Sequence, residues 1–422
     1  FGSNGGIGVV SIVTKRPDGT NKVELGASYG SFNSRELWGN ARFALDAEGR
    51  FSGMVYGSSQ QTDGPRIFNP ADFVDNVAAS GGIQKYPLNR NNVGFKLLFK
   101  PDERIEVRVN GQYTQIEFQD AFPDNETYSP NRVRYPIIDF SINRRWSNSL
   151  STELAGYWSN PKLNNTETFA NVCRIRAGCP DSQNPARITP FGSSNGRSIA
   201  YPFKGFGAES KVGGFRELGL NFRNTLKLNG VGEIVGGVQM VSYKDDSDPV
   251  FNISKAPSTT TGLYLDVRPV LPFSPDTNIS LAVRTDFNKA FGSRTIWKFG
   301  VRQPIGAFYV RANGGTSYSL PKTNELYAIS PTLIGNPNLQ TESTKTFNGA
   351  VGFSKTFSNV AVNAEVGAFT TDIKQRIQST SGLTPNTYFN NLRTTQIRGL
   401  TAELGLNIGQ TLTTNVSFTK QQ

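Results

Sequence analysis

A two-residue alternation that recurs along the chain narrows its possible folds more than any other feature. About seventeen segments of roughly ten residues place apolar and polar side chains in turn, close to the length a tilted β-strand needs to cross a bilayer. From Arg104 to Gln115, Ile105, Val107, Val109, Gly111 and Tyr113 fall on one face, and Glu106, Arg108, Asn110, Gln112 and Thr114 on the other. Successive strand side chains point to opposite sides, so one face is greasy and the other wet. The split recurs in Val93, Phe95, Leu97 and Phe99 against Asn92, Gly94 and Lys96, and in Ile279, Leu281 and Val283 against Ser280, Arg284 and Asp286. Near the end, Leu400, Ala402, Leu404, Leu406 and Ile408 oppose Thr401, Glu403 and Asn407. A soluble sandwich has the same period with its apolar face turned to a core. The strand lengths and the charges on the wet face favour a polar lumen.

The connections alternate as well. Short turns are expected at Ala47-Glu48-Gly49, Pro101-Asp102-Glu103, Ser147-Asn148, Asn229-Gly230, Ser274 to Thr277, Gln303 to Gly306, Thr356 to Asn359 and Gly409-Gln410. Gly and Asn tolerate positive φ and Pro presets φ, which suits tight turns. Between them lie long stretches: Gln60 to Arg90, Asp120 to Val133, Asn160 to Gly214, Lys244 to Pro257, Tyr318 to Glu342, and Lys374 to Arg393. Gly30 to Phe32 and Ala290 mark short exceptions. Outer-membrane barrels keep short turns in the periplasm and long loops outside, so the long set is expected at the cell surface.

Composition removes several function classes. Mean hydropathy is −0.38 and no run of eighteen apolar residues exists, which excludes a transmembrane helix but not a barrel. The first residue is Phe1, with no signal peptide following, so a mature or excised fragment is expected. The 44 basic residues, against 33 acidic, give a net charge of +11. They are spread along the chain and not clustered with aromatics on one element, which argues against nucleic acid as a partner. Paired lumen charges and contact with anionic headgroups account better for the excess. Asp266 and Arg268 on one strand, with Arg284 and Asp286 on the next, suit such pairing.

The chain contains no His. That removes the commonest general base and metal ligand, and with it Ser-His-Asp and Cys-His designs. With two Cys, a zinc site is also disfavoured, so no catalytic, cofactor or metal site is expected. Cys173 and Cys179 lie six positions apart in the longest connection. That spacing in an exported chain suggests a local disulfide, with a pair of free thiols as the alternative.

Two stretches resemble one family, the TonB-dependent outer-membrane receptors. Gly2-Ser3-Asn4-Gly5-Gly6-Ile7-Gly8-Val9-Val10-Ser11-Ile12-Val13-Thr14-Lys15-Arg16-Pro17 is similar to the junction where the N-terminal plug leads into the barrel. Tyr318-Ser319-Leu320-Pro321-Lys322-Thr323-Asn324-Glu325-Leu326-Tyr327, followed by Gly335-Asn336-Pro337-Asn338-Leu339-Gln340-Thr341-Glu342, resembles the family's most recognisable barrel motif. Asn336-Pro337-Asn338 is turn-forming, and Leu339 is placed to anchor the loop on the barrel wall. A weaker echo is Tyr388-Phe389-Asn390-Asn391 followed by Ile397-Arg398-Gly399-Leu400-Thr401-Ala402-Glu403.

The resemblance implies an all-β fold: an antiparallel transmembrane barrel of about twenty-two strands with a plugged lumen. About seventeen of those strands are visible, and most of the plug and the segment that engages TonB are absent from the sequence. The implied division is the end of the plug at 1–18 and a partial barrel at 19–422. Missing strands leave open edges, which are costly in lipid, so this piece alone is expected not to insert stably.

The implied function is active import of a scarce nutrient across the bacterial outer membrane, driven through the TonB complex of the inner membrane. A ferric siderophore is the expected cargo, with cobalamin or an oligosaccharide as alternatives. Haem is disfavoured because its receptors often use His. Lipid and lipopolysaccharide of the outer membrane are expected partners. The candidates for docking the plug in the lumen are Asp139, Arg145, Glu153, Arg223, Glu233, Arg302 and Arg311. Tyr128, Tyr201, Phe203, Phe206, Tyr318 and Tyr327 are candidates for stacking on a ligand, set against packing between loops or an interfacial girdle with Trp146 and Trp158. A passive porin has the same strand rhythm, but the plug-like stretch from Gly2 to Pro17 argues against it. A barrel enzyme is disfavoured by the missing His.

Overall fold

The computed structural model describes residues 14–65, 87–119, 126–128, 130–169, 191–192, 198–199, 208–245, 257–327, 333–380, 386–409 and 411–422. Within them the chain is almost wholly extended. It opens with β1 (Lys22–Gly30), β2 (Ser34–Ala44), β3 (Phe51–Thr62), β4 (Leu88–Asp102) and β5 (Ile105–Gln119). A short β6 (Glu126–Tyr128) precedes β7 (Pro130–Arg145), β8 (Leu150–Ser159) and β9 (Lys162–Phe169). The small pair β10 (Phe191–Gly192) and β11 (Ser198–Ile199) precedes β12 (Ala208–Leu228), β13 (Gly232–Asp245) and β14 (Pro257–Pro269). Next come β15 (Asn278–Asn288), β16 (Gly292–Ile305) and β17 (Phe308–Ser319). Helix α1 (Thr323–Tyr327) and β18 (Leu333–Ile334) lead to β19 (Glu342–Phe357) and β20 (Val360–Lys374). The chain closes with β21 (Arg376–Ser379), β22 (Asn386–Asn391), β23 (Thr395–Ile408) and β24 (Leu412–Gln421).

The long strands form one up-and-down antiparallel meander in which each pairs with the next long strand in sequence, from β1–β2 through to β23–β24. Because β8 and β9 are successive parts of one crossing, both pairing with β12, the sheet has seventeen crossings. Among the described residues, β1 pairs only with β2 and β24 only with β23. Large apolar side chains such as Leu25, Val55, Val93, Phe222, Val366 and Leu400 stand exposed on one face. A water-soluble sheet would cover such a face, whereas lipid leaves it as it is. Among the described residues no helix is long and apolar enough to cross a membrane. Aromatics mark both ends of the apolar band: Trp146 follows β7, and Trp158 stands near the far end of β8, both exposed.

Several turns sit slightly away from their expected places, each for a local reason. β4 runs on through Asp102 after a register shift, and the turn falls at Glu103-Arg104. There the Asp102 carboxylate accepts the Arg104 and Ile105 amides at 2.7 and 2.8 Å. β16 continues to Ile305, which pairs with Phe308, so Gly306 and Ala307 alone make the turn, with Gly306 at φ +62°. The connection expected from Asn160 to Gly214 is shorter than that. Lys162–Phe169 and Ala208–Gly214 pair as an extension of the sheet, separated from β8 by Asn160 and Pro161.

Candidate functional site

The register places Asp139, Arg145, Glu153, Arg223, Glu233, Arg302 and Arg311 on the polar face of the sheet. Most are held by neighbours on that face. Glu153 pairs with Arg223, and Glu233 with Arg268, which also contacts Asp266. Arg311 makes a two-pronged contact with Glu365, at 2.8 Å from Nε and 2.5 Å from Nη2, and donates to Asn348 at 3.2 Å. Arg302 stacks its guanidinium 4.1 Å from the centre of the Tyr309 ring. Asp139 accepts from Asn110 at 2.6 Å. Arg145 donates to the Glu103 carbonyl at 3.1 Å, so its visible contact braces a turn at the end of the sheet.

A repeated device that the sequence reading missed organises this wall. Tyr56 lies across Gly94 of the next strand and donates its hydroxyl to Gln112, one strand further, at 3.1 Å. Tyr264 crosses Gly237 to reach Asn221 at 3.0 Å. Tyr309 crosses Gly352 to reach Glu365 at 2.8 Å. In each case a Cβ on the glycine would collide with the tyrosine side chain. A residue without a side chain is what allows a ring to lie flat and stitch three strands.

Toward the end with the long connections, Arg284 and Asp286 on β15 form an ion pair whose side chains are 7% and 2% exposed. Tyr318 donates to the other Asp286 oxygen at 2.8 Å, and its ring is 4% exposed. Of the stacking candidates, Tyr318 is therefore set into the wall. Its hydroxyl fixes the root of the connection that leaves β17.

That connection carries the second motif, and the structure explains its composition. Pro321, Leu326, Leu339 and Thr341 are buried. Leu339 is among the most buried apolar residues, at 4% exposure. Glu325 accepts the Lys322 amide at 2.8 Å, as a carboxylate does when it closes the start of a helical turn. Asn336 caps its own turn by accepting the Asn338 amide at 3.0 Å, and donates to the Tyr388 carbonyl at 2.9 Å. Asn390 accepts the Gln340 amide at 2.8 Å, and donates to the carbonyls of Gln340 and Gln375 at 3.0 and 2.8 Å. Glu342 accepts the Ile377 amide at 2.5 Å. β18 pairs in parallel with β22. The second motif and the weaker third echo thus meet as one clamp joining two connections. Tyr327, half-buried, ends α1 beside this clamp.

At the start of the described chain, Lys96 holds Thr14 and Lys15 against the polar face. It donates to Thr14 Oγ1 at 2.6 Å and to the Lys15 carbonyl at 2.5 Å. Lys15 bridges to Glu24 at 2.7 Å, and Arg42 to Asp18 at 2.5 Å. Asp18 also accepts from the Thr20 hydroxyl and amide, and the Thr20 hydroxyl contributes most to holding its carboxyl below the usual range. Thr14, Lys15, Trp38, Tyr56, Lys96 and Asp139 are among the residues that line a cavity of about 650 Å³. Such a volume suits a further polar segment or a small ligand.

Cys173, Cys179, Tyr201, Phe203 and Phe206 lie outside the described residues, as does the plug-like stretch before Thr14. For Tyr128 only the backbone, in β6, is described. Among the described residues no group of three or more His, Cys, Asp or Glu could hold a metal ion.

The model of a protein family described as TonB dependent receptor-like, beta-barrel, matches residues 23–422. A curated relative, the vitamin B12 transporter BtuB of Photobacterium profundum, is 23% identical over 355 residues, which are 82% of this chain and 48% of that protein. Among solved structures, the siderophore receptor PirA of Acinetobacter baumannii superposes with a TM-score of 0.71 at 14% identity, covering 99% of this chain and 65% of that one. A mutant of the ferric enterobactin receptor PfeA of Pseudomonas aeruginosa gives 0.75 at 15% identity, covering 100% and 64%. The chain thus spans about half the length of the curated relative and just under two thirds of these structures.

Proposed function

From the premise that this chain belongs to the TonB-dependent receptor β-barrel family, and so lies in the outer membrane, we propose that the whole protein captures a scarce nutrient at the cell surface. It then passes that nutrient inward through a gated lumen, driven by the TonB complex. The observation that carries this reading is the polar wall itself. Much of its charge is neutralised in place by Arg311–Glu365, Arg223–Glu153 and Arg268–Glu233. A solvated wall of satisfied charges can hold a polar plug and release it, because each contact exchanges readily with water. No covalent chemistry is required, and the family is one of transporters and receptors, not of enzymes.

A ferric siderophore is the favoured cargo, supported by the likeness to siderophore receptors from two genera. Cobalamin is the second reading, favoured by the curated relative named as a vitamin B12 transporter. Uptake by cells that depend on the full-length receptor tests both. Energy-dependent accumulation of a ⁵⁵Fe-labelled siderophore, abolished by an uncoupler and by loss of TonB, is the expected result. Uptake of labelled cobalamin in its place would select the second reading. Flux of small solutes that ignores the uncoupler would replace both with a passive pore.

A further inference from the structure

Near the end with the long connections, the sheet parts along one seam. β16 keeps its pairing with β15 up to the hairpin, where Gly292 stands opposite Asn288. With β17 it pairs only from Ile305 opposite Phe308 to Lys298 opposite Gly315. Beyond Gly315, β17 stays with β19 as far as Ser319 but leaves β16. The Trp297 amide there donates to the Thr316 hydroxyl at 3.1 Å, in place of a backbone carbonyl. Strict alternation would put Tyr318 on the outward face with Phe308 and Val310. Its hydroxyl instead reaches the inward Asp286 of β15. The end of β17 therefore turns in across the wet face, where Ile296 is only 3% exposed.

This departure leaves β16 with a free edge from Gly292 to Ile296. The two-residue turn at Gly306 and Ala307 makes Ile305 and Phe308 a hydrogen-bonded pair, so every second residue of β16 turns its N–H and C=O toward β17. By that count Ser293 and Thr295 present both groups to the vacated side. Both residues are exposed, and among the described residues no strand pairs with them there. The edge stands above the apolar band. The outward rings of Trp297, Phe299 and Phe347 cluster with centres 6.1 to 6.3 Å apart, as at a membrane interface. Beyond them the outward hydroxyls of Thr285 and Thr295 bond to each other at 2.9 Å. Charge at the edge is positive: Arg294 and Lys289 are exposed, and among the described residues neither is in an ion pair. Asp286 is already held by Arg284 and Tyr318, and Glu342 accepts the Ile377 amide.

We propose that the β16 edge takes up an extended acidic segment of another polypeptide as an added strand at the cell surface. A row of unpaired N–H and C=O groups is a template for a strand from outside the fold. Ser293 and Thr295 supply a short ladder, which charge then reinforces. Every second side chain of the added strand shares a face with Arg294, so carboxylates at those positions meet Arg294 and Lys289. The inference goes beyond the transport reading. It needs the long connections to face outward and is independent of what the receptor imports.

The probe is a synthetic seven-residue peptide alternating aspartate with valine, titrated by fluorescence anisotropy into the full-length receptor in detergent micelles. Binding is expected to slow hydrogen exchange in the segment 291–297 and to leave mid-strand β20 unchanged. Thr295→Pro removes an N–H that faces away from β15, a place where an edge strand tolerates proline. It is expected to weaken binding by at least about tenfold, the loss of roughly one ladder bond. Thr295→Val also loses the hydroxyl but keeps that N–H, and is expected to bind as the wild type does. R294Q/K289Q is expected to remove the preference for the aspartate peptide over its asparagine counterpart. Heat-shifted migration on gels shows that each variant is folded. A peptide methylated on alternate backbone nitrogens, unable to pair, is expected not to bind the wild type and does not depend on any variant. Equal binding of the methylated and unmethylated peptides would overturn the proposal, as would unchanged exchange in 291–297. Exchange there that is already slow without peptide, and slower at higher receptor concentration, would assign the edge to a second copy of the chain and overturn it too. Nutrient uptake by Thr295→Pro reports separately on the transport reading.

Discussion

Asn390 grips the backbone of Gln340 from both sides, its oxygen accepting the amide at 2.8 Å and its nitrogen donating to the carbonyl at 3.0 Å. One side chain thereby stands in for a neighbouring β-strand across fifty positions of sequence. A third bond, to the Gln375 carbonyl, ties in the end of β20. The two connections therefore form one mechanical unit over the mouth of the sheet.

Replacing Asn390 with Leu, similar in size but unable to make these bonds, leaves the Gln340 amide and two carbonyls without their partner. We expect about 1–3 kcal/mol of local destabilisation, read as faster hydrogen exchange at Gln340 and Ile377 and a clear loss of nutrient affinity in the full-length receptor. Exchange in mid-strand β19 and β20 stays as it was. Unchanged exchange at Gln340 would mean that the clamp does not hold the loops together.

The tyrosine–glycine stitches separate ring from hydroxyl. Gly352→Val drives a branched side chain into the Tyr309 ring and is expected to cost about 1–3 kcal/mol through overpacking. Tyr309→Phe leaves the ring in place and loses one bond to Glu365, for about 0.5–1.5 kcal/mol. Urea unfolding of the refolded barrel ranks the two, and the reverse order would show that the hydroxyl outweighs the fit.

Arg311 and Glu365 form the best-connected half-buried ion pair on the wall, with side-chain exposures of 35% and 14%. Removing either partner strands the other charge, so Arg311→Ala is expected to cost about 1–3 kcal/mol. The double variant with Glu365→Ala then costs less than the two single losses added together. Simple additivity in a double-mutant cycle would show that the pair is not coupled.

Asp18 predicts a pH response at the entry to the sheet. The Thr20 hydroxyl and amide, with Arg42 adding to them, stabilise its charged form and hold its carboxyl below the ordinary value in the folded chain. A depressed folded value means that the contact contributes fully above the ordinary value and is lost as pH falls through the depressed one. Protection of the Thr20 amide should therefore persist at about pH 5 and disappear in strongly acidic solution. Asp18→Asn should abolish that acid step. Loss of protection already near pH 5 would contradict the assignment.

Much of this was legible beforehand because strand alternation is a local code. The faces of β5 and β15 follow directly from residues such as Val107 and Arg108, or Leu281 and Arg284, since the period fixes the side once the strand exists. The long and short connections were legible from their turn formers. Less visible were relations that depend on register. Nothing near Tyr56 announces Gly94, and nothing near Asn390 announces Gln340, because their contact exists only after intervening strands have paired. Pairing of Lys162–Phe169 with Ala208–Gly214 was hidden for the same reason. The docking candidates on the wall shared a face as their parity required. Their partners sit on the paired strand, as Glu153 does for Arg223 and Arg268 for Glu233, or two strands away, as Glu365 does for Arg311, and so carry no local signal.

The tyrosine–glycine stitches also bear on how such a sheet is put together. A strand that slips by two residues keeps its greasy and wet sides correct, so hydrophobicity cannot detect the mistake. The stitches can. A two-residue slip would set Tyr309 on Ala350 or Ser354, Tyr56 on Asn92 or Lys96, and Tyr264 on Val235 or Gln239, each with a side chain where the ring must lie. Glycines scattered along the wall thus work as a checksum on assembly, rejecting misalignments that would otherwise pass.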